Sequence, residues 1–267
     1  MADPFQDVDA AGAEFITLFA DAMDVRQAEP VMEEIVAAYL AMLPLGPDAT
    51  VIEVGAGAGA GARRSAAHAA PAKVIGGEPS HGFVAEARSR AEGLANLSFQ
   101  QADGTDLPMA DDSADAAILH TVLTHVTDPE ALITEAVRVL KPGGALVVCD
   151  ADFSKATLSS FANDPLDICA REFVRGYVTD PFIVGKLRGM IADAGLTLDH
   201  FGVQSRVVTN PQSMLPWVEV TTKGMVERGD IGQPLADALI EEHNRRAANG
   251  TLYGYQAFAT AKATKPG

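Results

Sequence analysis

The chain has 267 residues, 48% of them hydrophobic, which is long enough for one elaborated α/β domain with a large core. Twenty Lys and Arg stand against 36 Asp and Glu, and the net charge of −16 repels phosphate backbones and anionic lipid, so neither nucleic acid nor membrane is an expected partner. Two cysteines, Cys149 and Cys169, are too few for a disulfide framework or a cysteine metal site, so no metal is expected. With no basic-then-apolar leader and no apolar run of ~18 residues, a cytoplasmic location is expected.

In chain order, AGAEFITLFADAMD and PVMEEIVAAYLAML carry helical patterns and predict a helical preface over 1–47, which LGPDAT breaks. From Thr50 to His68 the sequence reads TVIEVGAGAGAGARRSAAH. Val51-Ile52-Glu53-Val54 predicts a short buried strand. Gly55, Gly57, Gly59 and Gly61 predict a backbone that turns sharply and lets a ligand approach, and the Ala/Arg-rich tail predicts a helix. That order puts free N–H groups and a positive helix end at the carboxyl edge of a parallel sheet, where open α/β folds hold nucleotides. A tight strand-to-helix turn with no ligand is the plain alternative.

Strands and helices then alternate: KVIGGE (73–78), a helix from His81 to Glu92, LSFQQAD (97–103), DAAILH (115–120), a helix from Asp128 to Leu140, and ALVVCDAD (145–152). The alternation predicts a doubly wound parallel sheet. Asp128 as N-cap and Pro129 at the first helical position open the helix that starts at TDPEAL, and KPGG (141–144) is expected to stop it. Beyond Asp152 come a polar, irregular stretch (153–180), a helix at 181–194 ended by Gly195, a strand near 197–208, a helical insertion (211–248), and YGYQAFATAKA (253–263), which reads as a sheet edge. The chain reads as a single domain, 1–267, with its core over 48–152 and with 153–180 and 211–248 forming a cap where substrate would sit.

Four strand ends carry a matched set. Glu53 ends the first strand, and a cationic amino-acid group could meet it. Glu78 ends the second and is placed to accept from two ribose hydroxyls; Asp103 ends the third and can accept from an exocyclic amine; His120-Thr121 end the fourth.

With these motifs the chain resembles a class I S-adenosylmethionine-dependent methyltransferase of the ubiquinone/menaquinone-biosynthesis type. VIEVGAGAG resembles the first motif of that group, VIGGEPS the acidic second-strand motif, QADGTDLPMADDSAD the third, and LTHVTDPEALITEAVRVLKPGGALVV the segment from strand four to strand five. The likeness covers residues 48–152, and more weakly GKLRGMIADAGL (185–196) and the last strand. The chain has Ala56 where the group often has cysteine, and Glu78 where Asp is commoner. The resemblance implies a mostly parallel seven-stranded sheet with an antiparallel last strand, a Rossmann-like α/β fold. It implies S-adenosyl-L-methionine as cofactor, with S-adenosyl-L-homocysteine as product, held by Glu53, Gly55, Ala56, Gly57, Gly59, Glu78, Pro79, Ser80, Asp103, Gly104, His120 and Thr121. His120 would contribute its backbone near the methionine part.

The acceptor would be a small apolar or aromatic metabolite, methylated at O, N, S or C. His125, just past strand four, could serve as base or as a hydrogen-bond partner of the acceptor, or simply cap the loop HVTDP. Arg171, Arg175, Tyr177 and Trp217 fall in the cap stretches and are the candidates to face substrate. Arg63-Arg64 read as a solvated helix face, and Cys149 as a small buried hydrophobe. Two alternatives stand. One is an NAD(P)-dependent dehydrogenase, because Gly55, Gly57 and Ala60 also fit the dinucleotide fingerprint with Glu78 about 20 residues on. The other is a non-catalytic protein that binds the cofactor. A second copy of the chain is left open as a partner.

Overall fold

The computed structural model describes residues 3–209 and 211–267. Residues 1, 2 and 210, which the single-domain reading includes, lie outside the described residues. The preface begins with α1 (Val8–Ala11), capped by Asp7, whose carboxylate accepts from the Ala10 N–H. Then come α2 (Ala13–Gln27) and α3 (Pro30–Leu40), on the two expected patterns.

The core follows as β1 (Thr50–Val54), α4 (Ala60–Ala69), β2 (Lys73–Glu78), α5 (His81–Arg90), β3 (Leu97–Gln101), β4 (Ala114–His120), α6 (Pro129–Val139) and β5 (Leu140–Thr157). The remainder is α7 (Asp167–Tyr177), α8 (Ile183–Asp193), β6 (Thr197–Val208), α9 (Pro211–Glu227), α10 (Gln233–Ala248) and β7 (Gly254–Thr264). The strands form one seven-stranded sheet in the order β3-β2-β1-β4-β5-β7-β6, in which β7 runs antiparallel to both neighbours and the other pairs are parallel. Strand order reverses between β1 and β4, the position at which open α/β sheets form a crevice.

Strand periodicity sorts the side chains between two faces. Val51, Val74, Ala116, Ile118, Val147 and Cys149 pack under the preface and α4. Ile52, Val54, Leu119, Leu146 and Val148 pack under α6 and α8, against Ile133, Ile183 and Leu187. The same parity carries Glu53 and His120 to the preface face, and this decides where both side chains end.

Two expectations need correction. The stretch 153–180 is not irregular: β5 runs on to Thr157, and α7 buries Cys169, Ala170 and Phe173, a helical stripe hidden by the polar residues between them. The KPGG segment follows the end of α6 at Val139, as expected, and lies within β5, where the Gly143 N–H donates to the Lys265 carbonyl oxygen at 2.9 Å. Finally, β7 lies inside the sheet and β6 forms the edge. The alanines of β7, at 259, 261 and 263, are small because α8 packs flat on them, and this makes an interior strand look like a weakly apolar edge.

Candidate functional site

A cavity of about 220 Å³ opens at the carboxyl ends of β1, β2 and β4, roofed by the preface, α7 and α9. On its sheet side it meets Gly55, Gly57, Glu78, Pro79, Asp103, Gly104 and Thr121. Gly55 and Gly57 have φ of +67° and +54°, backbone that only glycine adopts without strain. A Cβ at Gly55 would lie 2.8 Å from Val122 Cγ2, so the Val122 side chain packs directly on the backbone of the loop.

Glu78 is the best-defined group here. Its Oε2 accepts from the Gly57 N–H at 2.8 Å and its Oε1 from the Ser80 N–H at 3.0 Å, which fixes the carboxyl across the glycine loop. Each oxygen keeps a further acceptor position. Burial pushes the Glu78 carboxyl up to about 7, against the pull of the Ser80 and Gly57 N–H groups. Asp103 is exposed at the cavity's far rim, its Oδ1 accepting from the Thr105 N–H (2.9 Å) and hydroxyl (2.8 Å). Thr121 has φ of +58°, strained for a β-branched residue. Its N–H donates to the Cys149 carbonyl oxygen at 2.7 Å, while its Oγ1 is buried without a partner.

Other expected cofactor residues sit behind this wall. Ala56 is buried and its N–H donates to the Gly77 carbonyl oxygen at 3.0 Å; Gly59 takes φ of +77° ahead of α4, packed against Phe99. Ser80 caps α5, accepting from the Phe83 N–H at 3.0 Å and donating to Asp9 at 2.7 Å. Glu53 lies under α4, where it accepts from the Ser65 hydroxyl at 3.3 Å, and burial pushes it up to about 8. It is therefore mostly neutral near pH 7 and lies outside the lining, so the expected contact with a cationic group finds no carboxylate there.

The His120 ring is likewise taken up by the preface. The Gln27 amide donates to its Nε2 at 3.1 Å, which leaves Nδ1–H to donate to the Tyr39 oxygen at 3.2 Å. Burial, helped by the nearby Arg26 charge, pushes this imidazole down to about 3, so it stays neutral.

The roof consists of side chains. Trp217 stacks on Phe173 with centroids 4.5 Å apart, Phe153 lies 6.0 Å from Trp217, and Phe5 and Phe19 pack edge to face at 4.9 Å. All five line the cavity. His125 also lines it, its Nδ1–H donating to Asp3 Oδ2 at 2.9 Å and its ring 4.5 Å from that of Phe5. Asp3 is held in turn by the Thr179 hydroxyl at 3.0 Å.

Of the four cap candidates only Trp217 reaches the cavity. Tyr177 stacks behind Phe173 at 4.8 Å, outside the lining. Arg171 and Arg175 project to the surface, paired with Asp167 and Glu172, because they occupy the face of α7 opposite the Cys169-Ala170-Phe173 stripe. The Arg63-Arg64 pair is not merely solvated: Arg63 pairs with Asp24, and Arg64 donates to the Gln27 carbonyl oxygen (2.5 Å) and to Glu33 (2.8 Å), tying α4 to the preface.

Sequence reasoning missed Asp3, Phe5, Arg26 and Arg206. A signal existed for Arg26. Phe15, Phe19, Met23 and Arg26 fall on one stripe of α2, and an arginine ending an aromatic stripe is out of place on a solvated face.

Residues 52–148, from within β1 to within β5, match the family model described as a methyltransferase domain. A stretch of 93 residues, 35% of this chain, is 40% identical to a demethylmenaquinone methyltransferase of Clavibacter sepedonicus, of which it covers 38%. The chain spans half the length or less of the first curated relatives it matches, 38%, 44% and 49%. Among solved structures, the YcgJ protein of Bacillus subtilis shares the fold with TM-score 0.61 at 18% identity, over 88% of this chain and 99% of that one. The [4+2]-cyclase SpnF shares it with TM-score 0.55 at 22% identity, over 88% and 81%.

Proposed function

We propose that the whole chain is an S-adenosylmethionine-dependent methyltransferase that modifies a small apolar or aromatic metabolite, with preface and cap closing one chamber over the methyltransferase segment. The observation that carries this reading is the Glu78 carboxyl, fixed across the Gly57 loop with acceptor positions left over, on the wall of a cavity that Asp103 also borders. The residues fit the cofactor. Glu78 would take the ribose hydroxyls, Asp103 the adenine amine, and Gly55 and Gly57 present backbone to the same cavity. Bound S-adenosylmethionine supplies a methyl group on a sulfonium, reactive toward a nucleophile held in line with it.

The chain's own contribution is to hold an acceptor against that line and exclude water. The stacked Trp217, Phe173 and Phe153 offer flat apolar surface to an aromatic acceptor. His125, whose Nδ1–H is committed to Asp3, keeps Nε2 free among the described residues and can take a proton from an acceptor hydroxyl or amine.

Calorimetry tests this directly. S-adenosylmethionine and S-adenosylhomocysteine should bind, and Glu78→Ala should weaken both by roughly 10- to 100-fold, the worth of charge-assisted hydrogen bonds. Because ribose hydroxyls donate to the ionised carboxylate, affinity should be full above the Glu78 value of about 7 and fall as the pH drops below it, a dependence that Glu78→Gln removes. Binding of NAD(H) with neither sulfur compound bound would instead support the dehydrogenase. Binding of S-adenosylmethionine with no methyl transfer to any acceptor that the chamber takes up would point to other chemistry on this fold, as in the cyclase.

A further inference from the structure

At the preface end of the cavity there are donors with nothing to donate to. Arg26 stands at the end of the α2 stripe that also brings Phe19 and Met23 to the lining. Its Nε is buried and makes no hydrogen bond, and among the described residues no carboxylate lies within ion-pair distance of its guanidinium.

The nearby Arg206 shows what a satisfied arginine looks like here. It is closed in a two-point pair with Glu29, Nε to Oε2 at 2.6 Å and Nη2 to Oε1 at 2.7 Å, and its Nη1 donates to Gln256 Oε1 at 3.1 Å. Glu29 is thereby taken; it and Asp150 act on Arg26 only through space, and Arg26 has no ion-pair partner among the described residues. Burial first, and the Arg206 charge second, push the Arg26 guanidinium down to about 10, as expected of a cation that lacks its counter-ion.

A second orphan donor lies close by. The Gln27 amide is bonded to His120 at 3.1 Å, and Arg26 and Thr121 are the chain neighbours of those two residues. Thr121 lines the same cavity with its Oγ1 buried and unpartnered. Arg64, donating to the Gln27 carbonyl oxygen, fixes this end of α2 in place. Arg26 is half-buried with its Nε shut off from water, and a cation held so gains from an anion brought into the cavity.

We propose that Arg26, with Thr121 on the same lining, is a carboxylate-binding subsite of the cavity. The planar guanidinium presents paired donors that match the two oxygens of a carboxylate. Two bound molecules could bring that group: the cofactor, through its methionine carboxylate, or an acceptor that carries an acid. The first source rests on the methyltransferase reading; the second does not.

The test uses wild type and Arg26→Gln, with Arg26→Met repeating it should the first variant not fold. The probes are S-adenosylhomocysteine, 5′-methylthioadenosine, which keeps the adenosine and thioether but has no carboxylate, and phenylacetate with its amide. If the cofactor is the source, Arg26→Gln weakens S-adenosylhomocysteine roughly 10- to 100-fold and leaves methylthioadenosine unchanged. If the acceptor is the source, S-adenosylhomocysteine is unaffected, wild type prefers phenylacetate to its amide, and the variant loses that preference.

Equal S-adenosylhomocysteine affinity in the two proteins, together with no preference for carboxylate over amide in wild type, overturns the subsite. A purely structural role predicts a lower melting temperature with both adenosine compounds weakened alike, and that outcome overturns it too. Failure of wild type to bind either adenosine compound would sink the methyltransferase reading while phenylacetate still reads the subsite.

Discussion

The two walls of the cavity are built by opposite means. The sheet-side wall comes from short segments at the ends of β1, β2, β3 and β4, and it combines glycine backbone with the Glu78 carboxyl, held by two N–H donors, and with Asp103 and Thr121. The roof is assembled from single side chains far apart in the sequence, Phe5, Phe19, His125, Phe153, Phe173 and Trp217. A wall of backbone is rigid and tolerates almost no added atom, whereas a wall of packed rings can be reshaped one residue at a time. Cofactor binding and acceptor choice should therefore separate on mutation.

The largest effect is expected where the packing behind the backbone wall is filled. Gly59 has φ of +77°, and a Cβ there would lie 2.5 Å from Phe99 Cζ. Gly59→Val combines left-handed strain with overpacking, each about 1–3 kcal/mol, so a melting temperature lower by roughly 5 °C or more is expected. Thermal unfolding measures it, and an unchanged midpoint would show that the loop is softer than described.

Next in size is the ring that joins the two walls. His125→Asn should lower kcat by about 100-fold if Nε2 takes the acceptor's proton, with cofactor affinity kept. A loss that disappears at high pH, where the acceptor ionises by itself, would separate base catalysis from mere placement of the loop; an unchanged kcat would return His125 to a capping role.

The smallest effect sharpens the contrast. Trp217→Leu removes the ring stacked on Phe173 but keeps an apolar side chain, so an aromatic acceptor loses about 0.5–1.5 kcal/mol of stacking, a few-fold rise in KM, while S-adenosylhomocysteine affinity stays put. A variant that loses cofactor affinity in equal measure would show that roof and sheet wall are one site energetically.

The sequence was most informative where neighbours in the chain are neighbours in the site. Gly55, Gly57, Glu78, Pro79, Asp103, Gly104 and Thr121 lie on the lining because each follows directly on a strand end, and the strands were legible from their apolar runs. Glu53 ends up away from the lining for a reason of parity: it stands one residue inside β1, where alternate side chains turn to the preface face, and the same parity takes the His120 ring at the end of β4 to Gln27 and Tyr39. Arg171 and Arg175 were chosen for their chemistry in a stretch whose helical stripe went unrecognised, and that stripe turns them outward.

The amino-acid sequence by itself therefore determined the alternation of strands and helices, the glycine turn and the acids at the strand ends, because these depend on spacing over a few residues. Only the tertiary structure decided which strand forms the edge, that Asp3 meets His125 from across the chain, and that Glu29 pairs with Arg206 rather than Arg26. Those outcomes depend on which side chains long-range packing brings together, and no local pattern encodes that.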